Sequence, residues 1–160
     1  MLLDIQSLSH QYQRGKNAKF AIRSLSLQIK PGILGLLGSN GAGKSSLMRI
    51  LATITKPSQG KILWQGQDII KSPQILRNEL GYLPQYFGVY DQLSGVEFLH
   101  YMASLKGLSE SVANQRIEEL LNTLNLTHAA NMPLKGYYGG MKLRIGIAQA
   151  LLNNPKLLII

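Results

Sequence analysis

The segment from Gly38 to Ser45 holds the residues whose types and spacing most clearly indicate chemistry. It reads Gly-Ser-Asn-Gly-Ala-Gly-Lys-Ser and fits the pattern G-x-x-x-x-G-K-[ST]. Backbone N–H groups in such a loop can surround an anion at the start of a helix, and the glycines let the chain curl tightly enough. Lys44 adds a positive charge for the β- and γ-phosphates, while the Ser45 hydroxyl suits Mg²⁺, which prefers oxygen ligands. The segment therefore predicts a site for a nucleoside triphosphate with Mg²⁺.

This loop requires a strand before it and a helix after it. Before it, the apolar run Ile33–Leu37 predicts a strand buried on both faces, as in a parallel sheet. After it, apolar residues at helical spacing predict a helix from Lys44 through Leu51. These flanks support the phosphate-binding interpretation, because the motif is informative only between a strand and a helix.

The rest of the chain is predicted to contain further strands and helices. Alternating apolar and polar residues predict two antiparallel strands near the N-terminus, and shorter apolar runs predict others. Ser94 with Glu97 forms a capping-box pattern at the start of one helix. The predicted strands lie at Leu2–Leu8, Ala21–Ile29, Lys61–Trp64, Leu80–Leu83 and Leu157–Ile160, and the predicted helices lie near Pro73–Asn78, Ser94–Ala103, Ile117–Leu124 and Gly139–Leu152.

The composition is that of one globular domain, with 160 residues of which 45% are hydrophobic. No cysteine is present, which excludes disulfides, thiolate metal sites and cysteine nucleophiles. No apolar run approaches the roughly 20 residues that a transmembrane helix requires. Asp4, Gln6 and Ser7 interrupt the N-terminal apolar residues, so a signal peptide is not expected. These observations predict a cytoplasmic protein.

The formal net charge of +9 leaves several interpretations open. A nucleic acid, an anionic membrane surface or a phosphate-rich ligand would each suit a basic protein. Alternatively, the excess of positive charge serves no binding partner, and acidic segments outside this chain balance it. The basic residues are scattered, and the densest stretch, formed by Arg14, Lys16 and Lys19, is expected in a solvated hairpin loop.

Three further features occur in a recognisable order. Tyr12 lies 26 positions before Gly38, and Gln85 ends a strand that is followed by a helical insertion. The run from Gly139 to Arg144 reads Gly-Gly-Met-Lys-Leu-Arg and precedes an Ala/Leu-rich helix, Asn154-Pro155 and an apolar strand. In order and spacing over all 160 residues, the sequence resembles the nucleotide-binding domains of ABC transporters. It is most similar to the ATPase subunits of bacterial efflux and antimicrobial-peptide exporters, in which Met often stands at the position of Met141.

The resemblance implies an α/β fold with a P-loop NTPase core, an N-terminal antiparallel β region and an α-helical insertion. Residues 1–90 would form the β region and the P-loop core, and residues 91–138 the helical insertion. Residues 139–160 would form the signature helix and the start of the Walker B strand. In the family this strand is followed by Asp and Glu, then by a dimer-contact loop and a switch histidine. Since the sequence ends at Ile160, the expectation is a partial domain without these catalytic residues.

The resemblance also assigns roles for ATP and Mg²⁺. Tyr12 matches the aromatic residue that stacks on adenine, and Ser46 matches a further phosphate contact. Gln85 matches the Q-loop residue, which reaches Mg²⁺ and the attacking water beside the coupling surface for the membrane subunit. The resemblance assigns catalytic roles to Lys44 and Gln85. It assigns contacts with Mg²⁺ to Ser45 and Gln85. The implied nucleotide contacts are Tyr12, Gly38, Ser39, Asn40, Gly41, Ala42, Gly43, Lys44, Ser45 and Ser46.

The run Tyr137–Met141 matches the signature motif, usually written L-S-G-G-Q. In the family this motif faces the nucleotide of the opposite protomer in a head-to-tail dimer, which assigns trans contacts to Tyr138, Gly139, Gly140 and Met141. Glycines at a helix N-terminus suit this role, because the free N–H groups can bind a phosphate. Tyr138 departs from the pattern, since it replaces a serine whose hydroxyl contacts the γ-phosphate.

The function implied is that of an ATP-binding subunit that drives export through a separate transmembrane permease. It would pair with itself or with a second nucleotide-binding subunit, on the inner face of the cell membrane. One alternative is an ABC-type ATPase acting on nucleic acid, which the net charge permits. The short helical insertion, without a long coiled coil or zinc-binding cysteines, argues against it. Another alternative is a non-catalytic, truncated remnant.

Overall fold

The computed structural model describes residues 3–12 and 19–160. Leu2, which was predicted to begin the first strand, lies outside the described residues, as do Arg14 and Lys16 of the predicted hairpin loop. The chain divides into two compact units, Met1–Arg77 and Asn78–Ile160. Each unit is described by itself.

The first unit contains an antiparallel sheet of four strands. The strands are β1 (Leu3–Gln11), β2 (Phe20–Ile29), β3 (Gln59–Trp64) and β4 (Gln67–Asp68), in the order β2-β1-β3-β4. Leu3 pairs with Trp64 and Ile5 pairs with Ile62 across β1 and β3. These four side chains are at most 1% exposed. The alternation seen in the sequence therefore places Leu3 and Ile5 in the core, until the register shifts between Ile5 and Leu8.

Two helices complete the first unit. Helix α1 spans Lys44–Leu51 and buries Leu47, Ile50 and Leu51, as their helical spacing predicted. Helix α2 is a single turn, Gln74–Arg77, at the predicted position. The Arg77 guanidinium donates to the hydroxyl and the carbonyl of Thr53, which connects α2 to the turn that follows α1.

The prediction of a buried strand at Ile33–Leu37 is wrong for this structure. The segment has no strand conformation, and the Leu37 side chain is 96% exposed. Within residues 19–160, which are all described, no named strand includes or pairs with this segment. An apolar run becomes a buried strand only where neighbouring strands bind its N–H and C=O groups and cover its faces.

The second unit packs three helices and a parallel strand pair. Strands β5 (Leu80–Tyr82) and β6 (Leu157–Ile159) pair in parallel, and the helices are α3 (Gly95–Leu105), α4 (Glu110–Thr123) and α5 (Gly139–Leu151). Two 3₁₀ turns, Thr127–Ala129 and Leu134–Gly136, connect α4 to α5. Buried apolar side chains form the core, and those at most 1% exposed include Phe98, Leu99, Leu126, Leu134, Ile145 and Leu152.

The capping box predicted at the start of α3 is present. The Ser94 side chain accepts from the Glu97 N–H, and the Glu97 carboxylate accepts from the Ser94 N–H at 2.7 Å. Chiefly because of this bond from the Ser94 backbone, the pKa of Glu97 lies below its ordinary value. The box therefore satisfies N–H groups that the first helical turn leaves without partners.

Close packing between β5 and α5 depends on two glycines. A Cβ at Gly81 would lie 2.3 Å from the Ala150 carbonyl oxygen, and a Cβ at Gly146 would lie 2.8 Å from Leu83. The Gln149 amide, which is buried, donates to the Tyr82 carbonyl at 2.9 Å. Together these contacts hold the end of β5 against the body of α5.

In the described residues, no helix is long and apolar enough to cross a membrane.

Tyr137→Phe is predicted to lower the free energy of unfolding by about 1 kcal/mol. The Tyr137 hydroxyl is buried and donates to the Ala129 carbonyl at 2.8 Å, and burial raises the pKa of this phenol. The loss is expected to be moderate, because the same carbonyl also accepts from the Met132 N–H. Urea unfolding followed by circular dichroism measures the change. Tyr86→Phe, at a tyrosine that is 89% exposed, is the control, and equal stability of the two variants would contradict the prediction.

Candidate functional site

The loop between Gly38 and Lys44 requires glycine at its most constrained position. Gly43 has a φ of 87°, and a Cβ there would lie 2.1 Å from the Ala21 carbonyl oxygen. Gly41 has a φ of 84°, which other residues rarely adopt. The loop can therefore curl against β2 only with glycine at position 43.

Helix α1 begins with backbone N–H groups that have no helical partner. The hydrogen-bond ladder starts with the Leu47 N–H, which donates to the Gly43 carbonyl at 2.9 Å. The N–H groups of Lys44, Ser45 and Ser46 lie ahead of this bond. The first turn carries no acidic side chain, so nothing in the helix opposes an approaching anion. Its N–H groups and the helix dipole therefore suit a phosphate.

The Lys44 side chain folds back over the loop. Its Nζ donates to the carbonyl oxygens of Gly38 at 2.5 Å and Ser39 at 2.8 Å. An ammonium group has three N–H donors, so one remains for a ligand. The cation is thus held at the mouth of the loop by the backbone that the glycines shape.

Tyr12 and Ser46, which the sequence placed in separate roles, are hydrogen-bonded to each other. The Tyr12 Oη and the Ser46 Oγ are 2.6 Å apart, whereas Ser45 is exposed. The edge of the Tyr12 ring also packs against His10, with ring centroids 5.0 Å apart. Neither contact was predicted, although the two-residue spacing of His10 and Tyr12 at the end of an extended segment was a usable signal.

Gln85 lies in a bend that follows β5 in the second unit, and its side chain is exposed. The β5–α5 contacts described above fix the strand from which this bend departs. The structure therefore presents Gln85 to solvent at the carboxyl end of a parallel strand, where ligands of α/β proteins commonly bind.

The signature residues lie at the start of α5. Tyr138 is the N-cap residue, with extended backbone, and Gly139 and Gly140 in the first turn are exposed. Within the described structure, the Tyr138 side chain makes no capping hydrogen bond. The Met141 side chain is only 3% exposed and belongs to the core of the unit. The side chain of Met141 thus packs internally, and the exposed part of the motif is Tyr138 with the two glycines.

Arg144 holds the Tyr138 hydroxyl to the side of the helix. Its Nη2 donates to the Tyr138 Oη at 3.4 Å, and its Nη1 donates to the Leu124 carbonyl at 3.1 Å. The Tyr138 ring lies beside Gly140, 3.6 Å from where a Cβ would stand. The hydroxyl is therefore directed along α5, away from the free N–H groups at its start.

Comparisons with known proteins identify the family. A model described as ABC transporter matches residues 22–160. The chain belongs to the ABC transporter family. It is 37% identical over 160 residues to the uncharacterized ABC transporter ATP-binding protein YxlF of Bacillus subtilis, covering 99% of this chain and 51% of that protein. It is 38% identical over 143 residues to the doxorubicin resistance ATP-binding protein DrrA of Mycobacterium tuberculosis, covering 89% of this chain and 43% of that protein.

A solved structure agrees with the family assignment. The structure of the ATP binding subunit of an ABC transporter covers 100% of this ABC transporter chain, with a TM-score of 0.84 and 28% identity. The expected α/β fold class, with an N-terminal antiparallel β region and a helical insertion, is confirmed. The chain covers 65% of that structure's chain and about half of the first curated relative.

Tyr138→Ser is predicted to stabilise this ABC transporter chain relative to Tyr138→Ala by about 1 kcal/mol. The backbone at this position is already extended, with a φ of −78° and a ψ of 171°, so a serine hydroxyl can accept from the N–H groups of the first turn. The alanine variant removes the ring and its contact with Arg144 without adding a cap. Urea unfolding of both variants measures the difference, and a serine variant no more stable than the alanine variant would contradict the capping argument.

Proposed function

We propose that the chain binds MgATP as the nucleotide-binding part of an ABC transporter, whose passage is formed by a separate permease subunit. The observation that carries the proposal is the open N-terminus of α1, with Lys44 held over a loop that is shaped by glycines. An ATP triphosphate supplies the dense negative charge that such a site requires.

In this proposal, each loop residue has a distinct task. The N–H groups of Lys44, Ser45 and Ser46 bind phosphate oxygens, and the remaining Lys44 N–H donor serves the β- and γ-phosphates. The exposed Ser45 hydroxyl would hold Mg²⁺, which neutralises phosphate charge. The Q-loop role proposed for Gln85 rests on the family resemblance. Among residues 3–12 and 19–160, no three His, Cys, Asp or Glu side chains form a possible metal site.

We propose that the signature residues act in a dimer. Gly139 and Gly140 start α5 with exposed backbone, and this helix N-terminus would complete a γ-phosphate site on a partner protomer. Hydrolysis is proposed for the whole protein, because the family's acidic residues follow the position of Ile160. From the family motifs in the sequence, residues 1–90 are proposed to form the β region and P-loop core. Residues 91–138 would form the helical insertion, and residues 139–160 the signature helix with the start of the Walker B strand.

Export is the proposed direction of transport. The relative DrrA is named for doxorubicin resistance, and the resemblance at Met141 to bacterial exporter ATPases supports the same direction. The protein would act on the inner face of the membrane through its permease partner. Neither the fold nor the comparisons favour the nucleic-acid alternative.

Lys44→Ala is predicted to weaken MgATP binding by about 10- to 100-fold, because it removes a charged hydrogen bond of about 1.5–3 kcal/mol. Isothermal titration calorimetry of the purified protein measures the dissociation constant. Lys30→Ala, which removes an exposed lysine in the same unit, is the matched control and is expected to bind as the parent does. Equal affinities for parent and Lys44→Ala would overturn the proposed function.

A further inference from the structure

The ring of Tyr12 is held in place although most of it is in contact with solvent. Tyr12 directly follows β1, whose end is anchored by the Gln11 N–H, which donates to the Ser58 Oγ at 3.1 Å. The Ser58 N–H in turn donates to the Ser9 carbonyl at 2.9 Å. The backbone that leads into Tyr12 is therefore held by two hydrogen bonds with Ser58.

Two contacts restrain the ring itself. Its hydroxyl is 2.6 Å from the Ser46 Oγ, and its edge packs on His10 at an interplanar angle of 80°. His10 is 7% exposed, so the surface that supports Tyr12 is part of the packed unit. Tyr12 nevertheless remains 64% exposed. An aromatic ring of this kind offers a preorganised stacking surface, because binding a base costs it little rotational freedom.

Ser46 belongs to the phosphate loop's own helix. It is the third residue of α1, its N–H is one of the groups ahead of the first helical hydrogen bond, and it is 7% exposed. A hydroxyl has one donor and two acceptor positions, whereas a phosphate oxygen only accepts. If the Ser46 hydroxyl donates its only proton to a phosphate oxygen, Ser46 Oγ can still accept a hydrogen bond. The Tyr12–Ser46 bond is then kept only if the Tyr12 hydroxyl is the donor. One hydroxyl can therefore connect the base-binding ring to the phosphates.

We infer that Ser46 is a positioning residue that connects the Tyr12 ring to the phosphate loop, so that the base and the phosphates of a nucleoside triphosphate are recognised together. This role goes beyond a phosphate contact for Ser46 and a stacking face for Tyr12, and it rests on the proposed function. Its ligand class is a triphosphate that carries a planar base. Bare triphosphate would use the loop without using the Tyr12–Ser46 hydrogen bond.

A double-variant cycle with two ligands tests the inference. The variants are Tyr12→Phe, Ser46→Ala and the pair together, and the ligands are MgATP and magnesium tripolyphosphate, which has no base. Tyr12→Phe keeps the aromatic face and loses only the hydroxyl. It is expected to weaken MgATP binding by about two- to tenfold, which is the cost of ordering one freed side chain. Tripolyphosphate binding is expected to stay within about twofold of the parent, since a base-free ligand does not need the ring.

The double variant distinguishes coupling from two separate contacts. Ser46→Ala should weaken binding of both ligands, and adding Tyr12→Phe to it should cost no further MgATP affinity. Residues that act independently would instead give losses that multiply. A merely structural role would lower both ligand affinities together in Tyr12→Phe, so the difference between the ligands is the informative readout.

Controls and contrary results follow from the same titrations. Tyr90→Phe and Ser104→Ala remove exposed hydroxyls in the second unit and should leave both affinities unchanged. Parent-like MgATP binding by Tyr12→Phe, or multiplying losses in the double variant, would overturn the inference while leaving the proposed function intact. A parent protein that binds neither ligand would overturn both. If Ser46→Ala does not fold, Tyr12→Phe decides alone, because Tyr12 is exposed and its ring is retained.

Discussion

The first turn of α1 leaves three backbone N–H groups without helical partners, and contacts of Gly43, Lys44 and Ser46 surround this helix start. Gly43 lies so close to the Ala21 carbonyl that a side chain has no room, and this contact fixes where the helix starts against β2. Lys44 donates hydrogen bonds to the Gly38 and Ser39 carbonyls, which holds its positive charge at the loop. Ser46 joins the same turn to Tyr12. The antiparallel sheet thus provides a rigid support for one helix terminus.

The second unit also contains a helix N-terminus with free N–H groups, and other contacts hold this helix in place. At α5 the open N-terminus is framed by Tyr138 and two glycines, and the helix is held by close contacts of Gly81 and Gly146 that leave no space for a Cβ. Buried Tyr137, the first residue of the motif, donates a hydrogen bond to the Ala129 carbonyl. A serine in place of Tyr138 would cap the helix, whereas the tyrosine hydroxyl turns to Arg144. The free N–H groups at the start of α5 and the close packing of its later residues therefore depend on different side chains.

Local patterns predicted most of the elements in both units. The strands from Leu3 and Phe20, the helix from Lys44 and the capping box at Ser94 all appear where periodicity and capping residues indicated. These features depend on neighbours in sequence: alternation selects a strand face, and a cap satisfies N–H groups three residues away. The exception is Ile33–Leu37, whose apolar run predicted a buried strand. Burial of such a run depends on strands elsewhere in the chain, and the described residues supply none that pairs with it.

The sequence by itself determined the chemistry of the phosphate loop, because a fixed spacing of glycines, lysine and serine is enough to specify an anion site at a helix start. It also determined the family, through motifs whose order extends over the whole chain. Only the tertiary structure decided which side chains meet. Tyr12 and Ser46 are 34 residues apart, and their hydrogen bond exists because the sheet brings the end of β1 to the first turn of α1. Likewise, only packing decided that Met141 belongs to the core while Tyr138 stays exposed, since one helical turn has both a buried face and a solvent face.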